Sequence, residues 1–240
     1  KTFELLSRGE TLGVFQLDGG PMRALLRSMA PDSFADISAV IALYRPGPMG
    51  ENAHNNYADR KNGRKPSEPI HPELADALQD ILGDTYGLIV YQEQVMLLSQ
   101  KLANFSKGQA DSLRKAMGKK LKEELDKMKG QFMDGAQGNG HPKDKLEKIW
   151  TDWEAFASYA FNKSHSTCYA WIAFQTGYLK ANYPAEYMAA AMTGSLSDLK
   201  QVTFFIQDCK KNKLPVLGPD VNESDAFFNV NTKGEIRFGL

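Results

Sequence analysis

A stretch of large apolar side chains at helical spacing, between residues 142 and 160, constrains the fold of this chain more than any other feature. The apolar residues of the stretch are Leu146, Ile149, Trp150, Trp153, Phe156 and Ala160. This spacing places them on one face of an α-helix. Pro142 can begin that helix, because proline is well tolerated in a first turn. So wide an apolar face must be buried against other helices, and the stretch therefore predicts a mainly α fold.

Comparable patterns predict further helices along most of the chain, so we expect an irregular multi-helix domain. Pro21 and Asp32 can begin two helices near the N-terminus, and Ser106 with Gln109 forms the capping-box pattern of a third. Gly118 is predicted to end that third helix. The short run at 88–91 is typical of a strand. Other helices are predicted over 73–82, 92–105, 121–132, 169–182, 184–193 and 197–209.

Three stretches are predicted to lack helical structure. The sequence Arg-Pro-Gly-Pro at 45–48 is typical of a rigid turn, because a residue before proline avoids the helical backbone conformation. The polar sequence that follows, up to residue 72, predicts a long connection with partial disorder over 62–67. Residues 135–142 are predicted to form a flexible connector.

The C-terminal part of the sequence changes from helical to strand-like patterning. Alternating apolar and polar residues at 226–230 and 235–238 flank a turn that contains Gly234. This arrangement predicts a small β-hairpin. We therefore divide the chain into a helical core over 1–200 and a region over 201–240 that holds the last helix and the hairpin.

The overall charge gives no support for nucleic-acid binding, because 29 Lys and Arg residues match 29 Asp and Glu residues. No apolar run reaches the roughly 18 residues of a membrane helix, and the N-terminus is unlike a signal peptide. Because the chain begins at Lys1 and not at Met, we expect it to be a piece of a longer protein. Cys168 and Cys209 form no disulfide framework, are expected to be buried, and favour a cytoplasmic location.

The junction at residues 161–167 is the first candidate site. It reads Phe-Asn-Lys-Ser-His-Ser-Thr and precedes a helix that is predicted to begin near Cys168. The N–H groups at the start of a helix carry partial positive charge, which suits a phosphate. We interpret the junction as a substrate-facing loop for a nucleoside triphosphate. A surface role for Lys163 and a core role for His165 are the alternatives.

A basic cluster is the second candidate site. Between residues 113 and 129, seven Lys and Arg residues face three Asp and Glu residues. Because Leu113 and Met117 are predicted to point inwards, Arg114 lies on another face, where it could meet an anion together with Lys119 and Lys120. An ordinary solvated helix face is the alternative interpretation.

Several kinds of site are not indicated by the sequence. It contains no Asp-x-Asp pair, no His-x-x-x-His, no Cys-x-x-Cys and no phosphate-binding glycine loop, so a metal site made by this chain alone is not expected. Ser164, His165 and Ser166 permit a hydrolase-like nucleophile and base, although adjacent residues rarely face each other. A non-catalytic helical module that binds nucleic acid or a protein through its Lys-rich face is the other alternative.

A set of motifs in this sequence resembles the motifs of the alpha subunit of bacterial DNA polymerase III, the C-family of replicative DNA polymerases. The motifs are 13–17 (GVFQL), 44–48 (YRPGP), 91–96 (YQEQVM), 113–120 (LRKAMGKK) and 161–166 (FNKSHS), with 183–186 (YPAE) and 219–222 (PDVN). They cover the chain from about residue 5 to its end. The resemblance implies the fingers region, which covers the incoming deoxynucleotide and the templating base during nucleotidyl transfer in DNA replication.

The resemblance also implies which parts of the chemistry this chain lacks. In the family, the catalytic aspartates and two Mg²⁺ ions belong to the palm, so we expect no catalytic residue and no metal in this chain. The isolated chain is expected to be inactive. The implied partners are a deoxynucleoside triphosphate and primer-template DNA, and in the full enzyme the sliding clamp, the clamp loader and the proofreading subunit. No membrane is implied.

Individual site residues follow from the same resemblance. Arg114, Lys115 and Lys163 are expected to bind the triphosphate, and His165 is expected to lie near the sugar. Lys115 stands where many relatives have a second arginine, so the charge is kept and a bidentate fork is lost. Supporting roles are implied for Asn162, Ser164, Arg45, Lys119 and Lys120.

Overall fold

The computed structural model describes residues 1–67, 74–157 and 160–240, apart from the side chain of Ala77. These residues form two compact units. The terminal unit comprises Lys1–Ser33 with Trp171–Leu240, and the central unit comprises Phe34–Ala170. Helices dominate both units, so the predicted mainly α fold is confirmed. No helix in the described ranges is long and apolar enough to cross a membrane. The division at residue 200 stays a prediction.

Most of the elements in the described residues are helices, and the strands lie at the C-terminal end. In chain order they are α1 (Thr2–Ser7), α2 (Gly20–Met29), α3 (Phe34–Leu43), α4 (Pro46–Gly50), α5 (Ala53–Lys61), α6 (Ala75–Leu82), a 3-10 helix (Gly83–Thr85), α7 (Gln92–Ala103), α8 (Lys107–Lys119), α9 (Lys122–Gly138), α10 (Lys143–Ala157), α11 (Lys163–Asn182), α12 (Pro184–Thr193), α13 (Leu199–Lys211), β1 (Val216–Leu217), β2 (Asn229–Val230) and β3 (Ile236–Arg237).

The core of the central unit is built on the predicted apolar face of α10. The buried residues of that face are Leu146, Ile149, Trp150, Trp153 and Phe156, as predicted, whereas Ala160 lies beyond the helix and is partly buried. Phe132 of α9 packs against both indole rings, with centroid distances of 5.6 Å to Trp150 and 4.8 Å to Trp153. Helices α7 and α8 pack on the same core, which fixes their positions relative to α10.

Two helices occupy the region that was predicted to be a long polar connection. Arg45 is extended, as predicted, with φ −149° and ψ 156°. Pro46 then begins α4, because the first turn of a helix needs no N–H donor from proline. Helix α5 is anchored by Tyr57, whose hydroxyl donates to Asp36 (3.1 Å), and by an ion pair of Lys61 with Asp36 (3.5 Å). The prediction of a connection over 46–61 was therefore wrong.

The turn after α5 is held by ion pairs. Asp59 pairs with Arg64 (2.8 Å) and Lys65 (3.4 Å). These contacts order part of the 62–67 segment, for which partial disorder was predicted. The end of the predicted connection and the start of the predicted helix over 73–82 fall at residues 68–73, outside the described residues.

The ends of α8 and α9 differ from the predictions. The capping box at the start of α8 is confirmed, since Gln109 donates its N–H to Ser106 Oγ (3.2 Å) and its side chain accepts from the Ser106 N–H (2.9 Å). Gly118, however, lies inside α8, and Lys120 adopts the left-handed conformation after it (φ 54°). The first half of the predicted connector over 135–142, residues 135–138, belongs to α9.

Gly135 is a residue of α9 at which the packing of α7 requires glycine. A Cβ atom at this position would lie 2.4 Å from the carbonyl oxygen of Ala103, at the end of α7. The glycine is therefore required by the close approach of two helices and not by a flexible backbone. A glycine required by close packing and a glycine in a flexible loop cannot be told apart from the sequence alone.

The terminal unit ends in a three-stranded sheet with the order β1-β3-β2. Strands β2 and β3 are antiparallel, so the predicted hairpin is confirmed, and β1 adds a parallel strand that was not predicted.

The two cysteines differ in burial. Cys209 is buried, which raises the pKa of its thiol to about 11. Cys168 is exposed, and the prediction that both cysteines are buried was wrong for it. Composition alone does not show which face of a helix a cysteine occupies, so it could not predict the exposure of Cys168.

Candidate functional site

The N-termini of α7 and α11 lie next to each other in the central unit. Tyr91 and Phe161, just before the two helices, form an isolated parallel bridge, and the Gln92 N–H donates to the Phe161 carbonyl (2.9 Å). Of the predicted strand at 88–91, this bridge is the only described pairing. Because the unpaired N–H groups at a helix start carry partial positive charge, two such starts side by side favour an anion.

Helix α11 begins earlier than predicted. Lys163 is its first residue, so residues 163–167 are helical and the prediction of a loop up to Thr167 was wrong. Asn162 is the reason, because its side-chain oxygen accepts from the His165 N–H (2.8 Å), and asparagine is among the best residues at this position. The side chains of Lys163, Ser164 and His165 are exposed on the first turn.

Glu93 occupies the gap between the two helix starts, and sequence reasoning gave it no role. One carboxylate oxygen accepts from the side-chain amide of Asn162 (2.7 Å), and the other accepts from the Lys163 N–H (3.0 Å). Glu93 also lies in the first turn of its own helix, α7, where negative charge is favourable. Position 93 belongs to the motif at 91–96, and this motif was the feature of the sequence that could have pointed to Glu93.

A buried chain of hydroxyl groups ties the first turn of α11 to α3. The Tyr91 hydroxyl donates to Ser38 Oγ (3.0 Å), Ser38 Oγ donates to Ser166 Oγ (3.0 Å), and Ser166 Oγ donates to the Ser38 carbonyl. Burial raises the pKa of Tyr91. Because the Ser166 hydroxyl is buried and already bonded, this geometry does not favour it as a hydrolase nucleophile.

Aromatic rings lie beside the Lys163 ammonium and the His165 imidazole. The Lys163 ammonium lies 5.5 Å from the centre of the Tyr91 ring and forms no ion pair with any described residue. The His165 ring lies between Phe161 and Tyr169, with centroid distances of 5.4 Å and 4.3 Å. His165 is therefore an exposed, stacked histidine, and the alternative of a core histidine is not what the structure contains.

Arg45 has a supporting position beneath the same segment. Its guanidinium lies 4.3 Å from the centre of the Phe161 ring, and its Nε donates to the Ala42 carbonyl (2.9 Å). The stacking holds Phe161, which carries the parallel bridge with Tyr91. Arg45 thus contacts the site through Phe161.

Arg114 lies on the wall of a pocket beside the start of α7. The cavity has a volume of about 220 Å³ and is lined by Gln92, Val95, Arg114, Met117, Gly118, Phe156, Ala157 and Ala160. Gln92 is the neighbour of Glu93 in sequence, so Arg114 and Lys163 are both located around the first residues of α7. The described lining does not include Lys163, and a single pocket that holds both cations stays a prediction.

Asp111 holds two of the predicted phosphate ligands. Its carboxylate accepts from Arg114 through Nη2 (2.7 Å) and Nε (2.9 Å), and it pairs with Lys115 Nζ (2.8 Å). These hydrogen bonds from Lys115 and Arg114 lower the pKa of Asp111. Lys119 and Lys120 are exposed at the end of α8, without an ion pair to any described residue. Sequence reasoning counted the cations and missed their counter-ion.

No metal site is formed by the described residues, because no group of three or more His, Cys, Asp or Glu side chains in them is close enough to hold an ion. The chemistry that remains is electrostatic. Arg114 and Lys115 pair with Asp111, and Lys163 lies at the two helix starts beside Glu93. Lys119 and Lys120 are exposed at the end of α8. The arrangement can bind an anion and does not itself supply a nucleophile.

Comparisons with known proteins show the family to which the chain is similar. Residues 1–140 match the family described as "Bacterial DNA polymerase III alpha subunit finger domain". The whole chain is similar to the "DNA polymerase III subunit alpha" of Mycobacterium tuberculosis (56% identity over 239 residues), Aquifex aeolicus (48% over 240) and Escherichia coli K12 (43% over 243). The chain spans about a fifth of the length of these curated relatives, 20–21%.

Proposed function

The chain belongs to the family of bacterial DNA polymerase III alpha subunit finger domains, and from this premise we propose that it binds the triphosphate of the incoming deoxynucleotide for a replicative DNA-directed DNA polymerase. The observation that carries the proposal is the exposed Lys163 ammonium at the adjoining starts of α7 and α11. The partial positive charge of two adjoining helix starts favours a chain of phosphates, and the ammonium supplies a full positive charge.

Lys163 is the phosphate ligand that the geometry supports best. Its Nζ lies over the Tyr91 ring and has no carboxylate partner among the described residues, so no ion pair must be broken before a phosphate binds. A charge-assisted hydrogen bond of this kind contributes about 1.5–3 kcal/mol. The Tyr91 ring limits the directions that the flexible side chain can take, which lowers the entropic cost of the contact.

Arg114 and Lys115 bind a phosphate at a greater cost. Both are held by Asp111, so a phosphate must either replace this carboxylate or use the guanidinium edge that the carboxylate leaves open. The planar guanidinium of Arg114 can still present a pair of donors to phosphate oxygens, whereas Lys115 offers a point charge. We therefore assign Arg114 the more specific contact.

The other residues receive supporting roles. His165, stacked between Phe161 and Tyr169, presents an exposed imidazole edge near the first turn of α11, where a sugar attached to the bound phosphates would lie. Asn162 holds that first turn, Arg45 supports it through Phe161, and Ser164 is exposed beside Lys163.

The bond-forming chemistry is assigned to parts of the polymerase outside this chain. Mg²⁺ would supply charge neutralisation and an activated 3′-hydroxyl, but the described residues do not fit a metal site. What this chain contributes is binding and orientation of the triphosphate. Primer-template DNA is the partner that the proposal requires. The sliding clamp, the clamp loader, the proofreading subunit and a cytoplasmic location stay predictions.

Steady-state primer extension by a full-length alpha subunit that carries this sequence tests the proposal. Lys163→Ala and Arg114→Ala are expected to raise the KM for deoxynucleotides or lower kcat by about tenfold or more, in line with the loss of a charge-assisted bond. Lys210→Ala, an exposed lysine on α13, is the matched control and leaves both constants unchanged. Wild-type constants for Lys163→Ala would refute the phosphate role of the site.

A second function is favoured by the exposure of Lys119 and Lys120, which form no ion pair in the described part of the chain. As a nucleic-acid-binding module, the chain would bind duplex DNA through this Lys-rich face, with an affinity that falls steeply as salt rises. The double substitution Lys119→Ala/Lys120→Ala would then reduce the salt dependence, and Lys163→Ala would not. The reverse pattern supports the triphosphate site.

A further inference from the structure

Glu93 links the two helix starts through its carboxylate. Its two oxygens accept from Asn162 Nδ2 (2.7 Å) and from the Lys163 N–H (3.0 Å). From this geometry we infer that Glu93 is a positioning residue, which fixes the first turn of α11 and thereby the direction of Lys163. The inference rests on the proposed function of Lys163 as a phosphate ligand.

The chemistry of the contact requires a carboxylate. The described groups that hydrogen-bond to the Glu93 carboxylate are all donors, namely Asn162 Nδ2, the Lys163 N–H and, at 3.5 Å, Gln92 Nε2. The residue at position 93 must therefore supply two acceptor atoms. A carboxylate does so, whereas an amide has one acceptor and one donor. The Asn162 amide cannot rotate to compensate, because its oxygen already accepts from the His165 N–H (2.8 Å). Glu93→Gln therefore sets its NH₂ group against a donor, either the Asn162 amide or the Lys163 N–H.

The contact also offsets part of the positive charge that is concentrated at the site. Two helix starts and the Lys163 ammonium lie together, and Glu93 places one negative charge between the helix starts. Its carboxylate bonds the backbone of Lys163 and forms no ion pair with the ammonium. The backbone is thus neutralised while the side chain keeps its charge for a phosphate.

Reversing the polarity of one hydrogen bond provides a sharp test. In the pair Glu93→Gln/Asn162→Asp, the amide at 93 donates to the carboxylate at 162 and still accepts from the Lys163 N–H. The carboxylate at 162 still accepts from the His165 N–H, and aspartate starts helices as well as asparagine does. The double variant keeps the net charge and the three hydrogen bonds that join positions 93, 162, 163 and 165, whereas each single variant loses at least one of them.

The experiment uses a full-length alpha subunit that carries this sequence. Deoxynucleotide KM and kcat are measured by primer extension, and backbone hydrogen exchange is measured over residues 161–167. We expect Glu93→Gln to raise KM by about tenfold and to speed exchange at the Lys163 N–H, since it loses a charge-assisted bond. The double variant is expected to return both to within about threefold of the parent. Glu186→Gln, an exposed glutamate in the first turn of α12, is the control.

The outcomes separate the inference from the function on which it rests. If Lys163→Ala raises KM while Glu93→Gln leaves KM and exchange unchanged, the positioning role is wrong and the phosphate site stands. If exchange speeds up in Glu93→Gln but Lys163→Ala has no kinetic effect, the proposed function is wrong and Glu93 is only a structural cap. A double variant no better than Glu93→Gln alone also overturns the inference, because the hydrogen-bond polarity would then not matter.

Discussion

The hydroxyl groups of Ser38 and Ser166 are hydrogen-bonded to each other at 3.0 Å, although 128 positions separate them in the chain. The Tyr91 hydroxyl donates to the same Ser38 oxygen. The three groups are buried, so each depends on the others to avoid an unpaired polar atom. This chain joins the first turn of α11 to α3 and to the residue before α7.

Removing Ser38 Oγ is expected to destabilise the central unit. Ser38→Ala leaves the Tyr91 hydroxyl without its partner in a buried position, and we expect the free energy of unfolding to fall by about 1–3 kcal/mol. Urea unfolding followed by circular dichroism measures the change. Ser112→Ala, at an exposed position on α8, is the control and should change stability by about 0.5 kcal/mol or less. Equal stability of the two variants would contradict the described network.

Two of the three glycines in α9 predict opposite effects of an alanine substitution. Gly135→Ala introduces a Cβ that would lie 2.4 Å from the Ala103 carbonyl oxygen, so we expect a loss of about 1–3 kcal/mol in stability. Gly130→Ala meets no atom within 4 Å and should stabilise the helix by up to about 1 kcal/mol. Thermal unfolding of both variants gives the measurement. A stabilising Gly135→Ala would show that α7 and α9 do not approach so closely.

The ion pairs of Asp111 predict a pH dependence with a defined sign. Hydrogen bonds from Lys115 and Arg114 lower the pKa of this carboxyl in the folded protein. A depressed pKa stabilises the fold above the unfolded value near 3.9, and the contribution is lost as the pH falls through the lower, folded pKa. Asp111→Asn should therefore lower the unfolding temperature at pH 7, by an amount that shrinks below about pH 4. Asp126→Asn, exposed on α9, should show no such trend.

The two cysteines should react at very different rates. Cys168 is exposed, whereas burial raises the pKa of Cys209 to about 11, and the thiolate is the reactive form. A disulfide reagent at pH 8 is expected to label Cys168 quickly in the folded protein and both cysteines after denaturation. Cys168→Ser should abolish the fast reaction, while Cys209→Ser should leave it intact. Equal rates in the folded state would contradict the burial of Cys209.

Local and periodic information was enough to predict the helical framework. The apolar face from Leu146 to Phe156 depends on spacing within one helix, and the capping box of Ser106 and Gln109 depends on three-residue spacing. Such features are fixed by near neighbours, which is why the sequence contains them. The same holds for the candidate cations at 114 and 163, whose residue types alone indicate an affinity for anions.

The two carboxylates of the candidate site were not predicted, for a different reason in each case. Glu93 bonds a residue 69 positions away, and no spacing rule connects the two. Asp111 lies within reach of Arg114 and Lys115 on the same helix, but counting charge from residue 113 onwards left it out. The helices at α4 and α5 were missed because prolines were read as helix breakers, although Pro46 stands where a helix starts.

Helix α11 is anchored at Glu93 and Ser38 by contacts within the chain. Its opening turn is therefore ordered by the fold itself. Under the proposed function, a triphosphate would meet a preformed surface, so binding would carry little of the entropic cost of ordering a segment, and selectivity would arise from how well each nucleotide fits that surface.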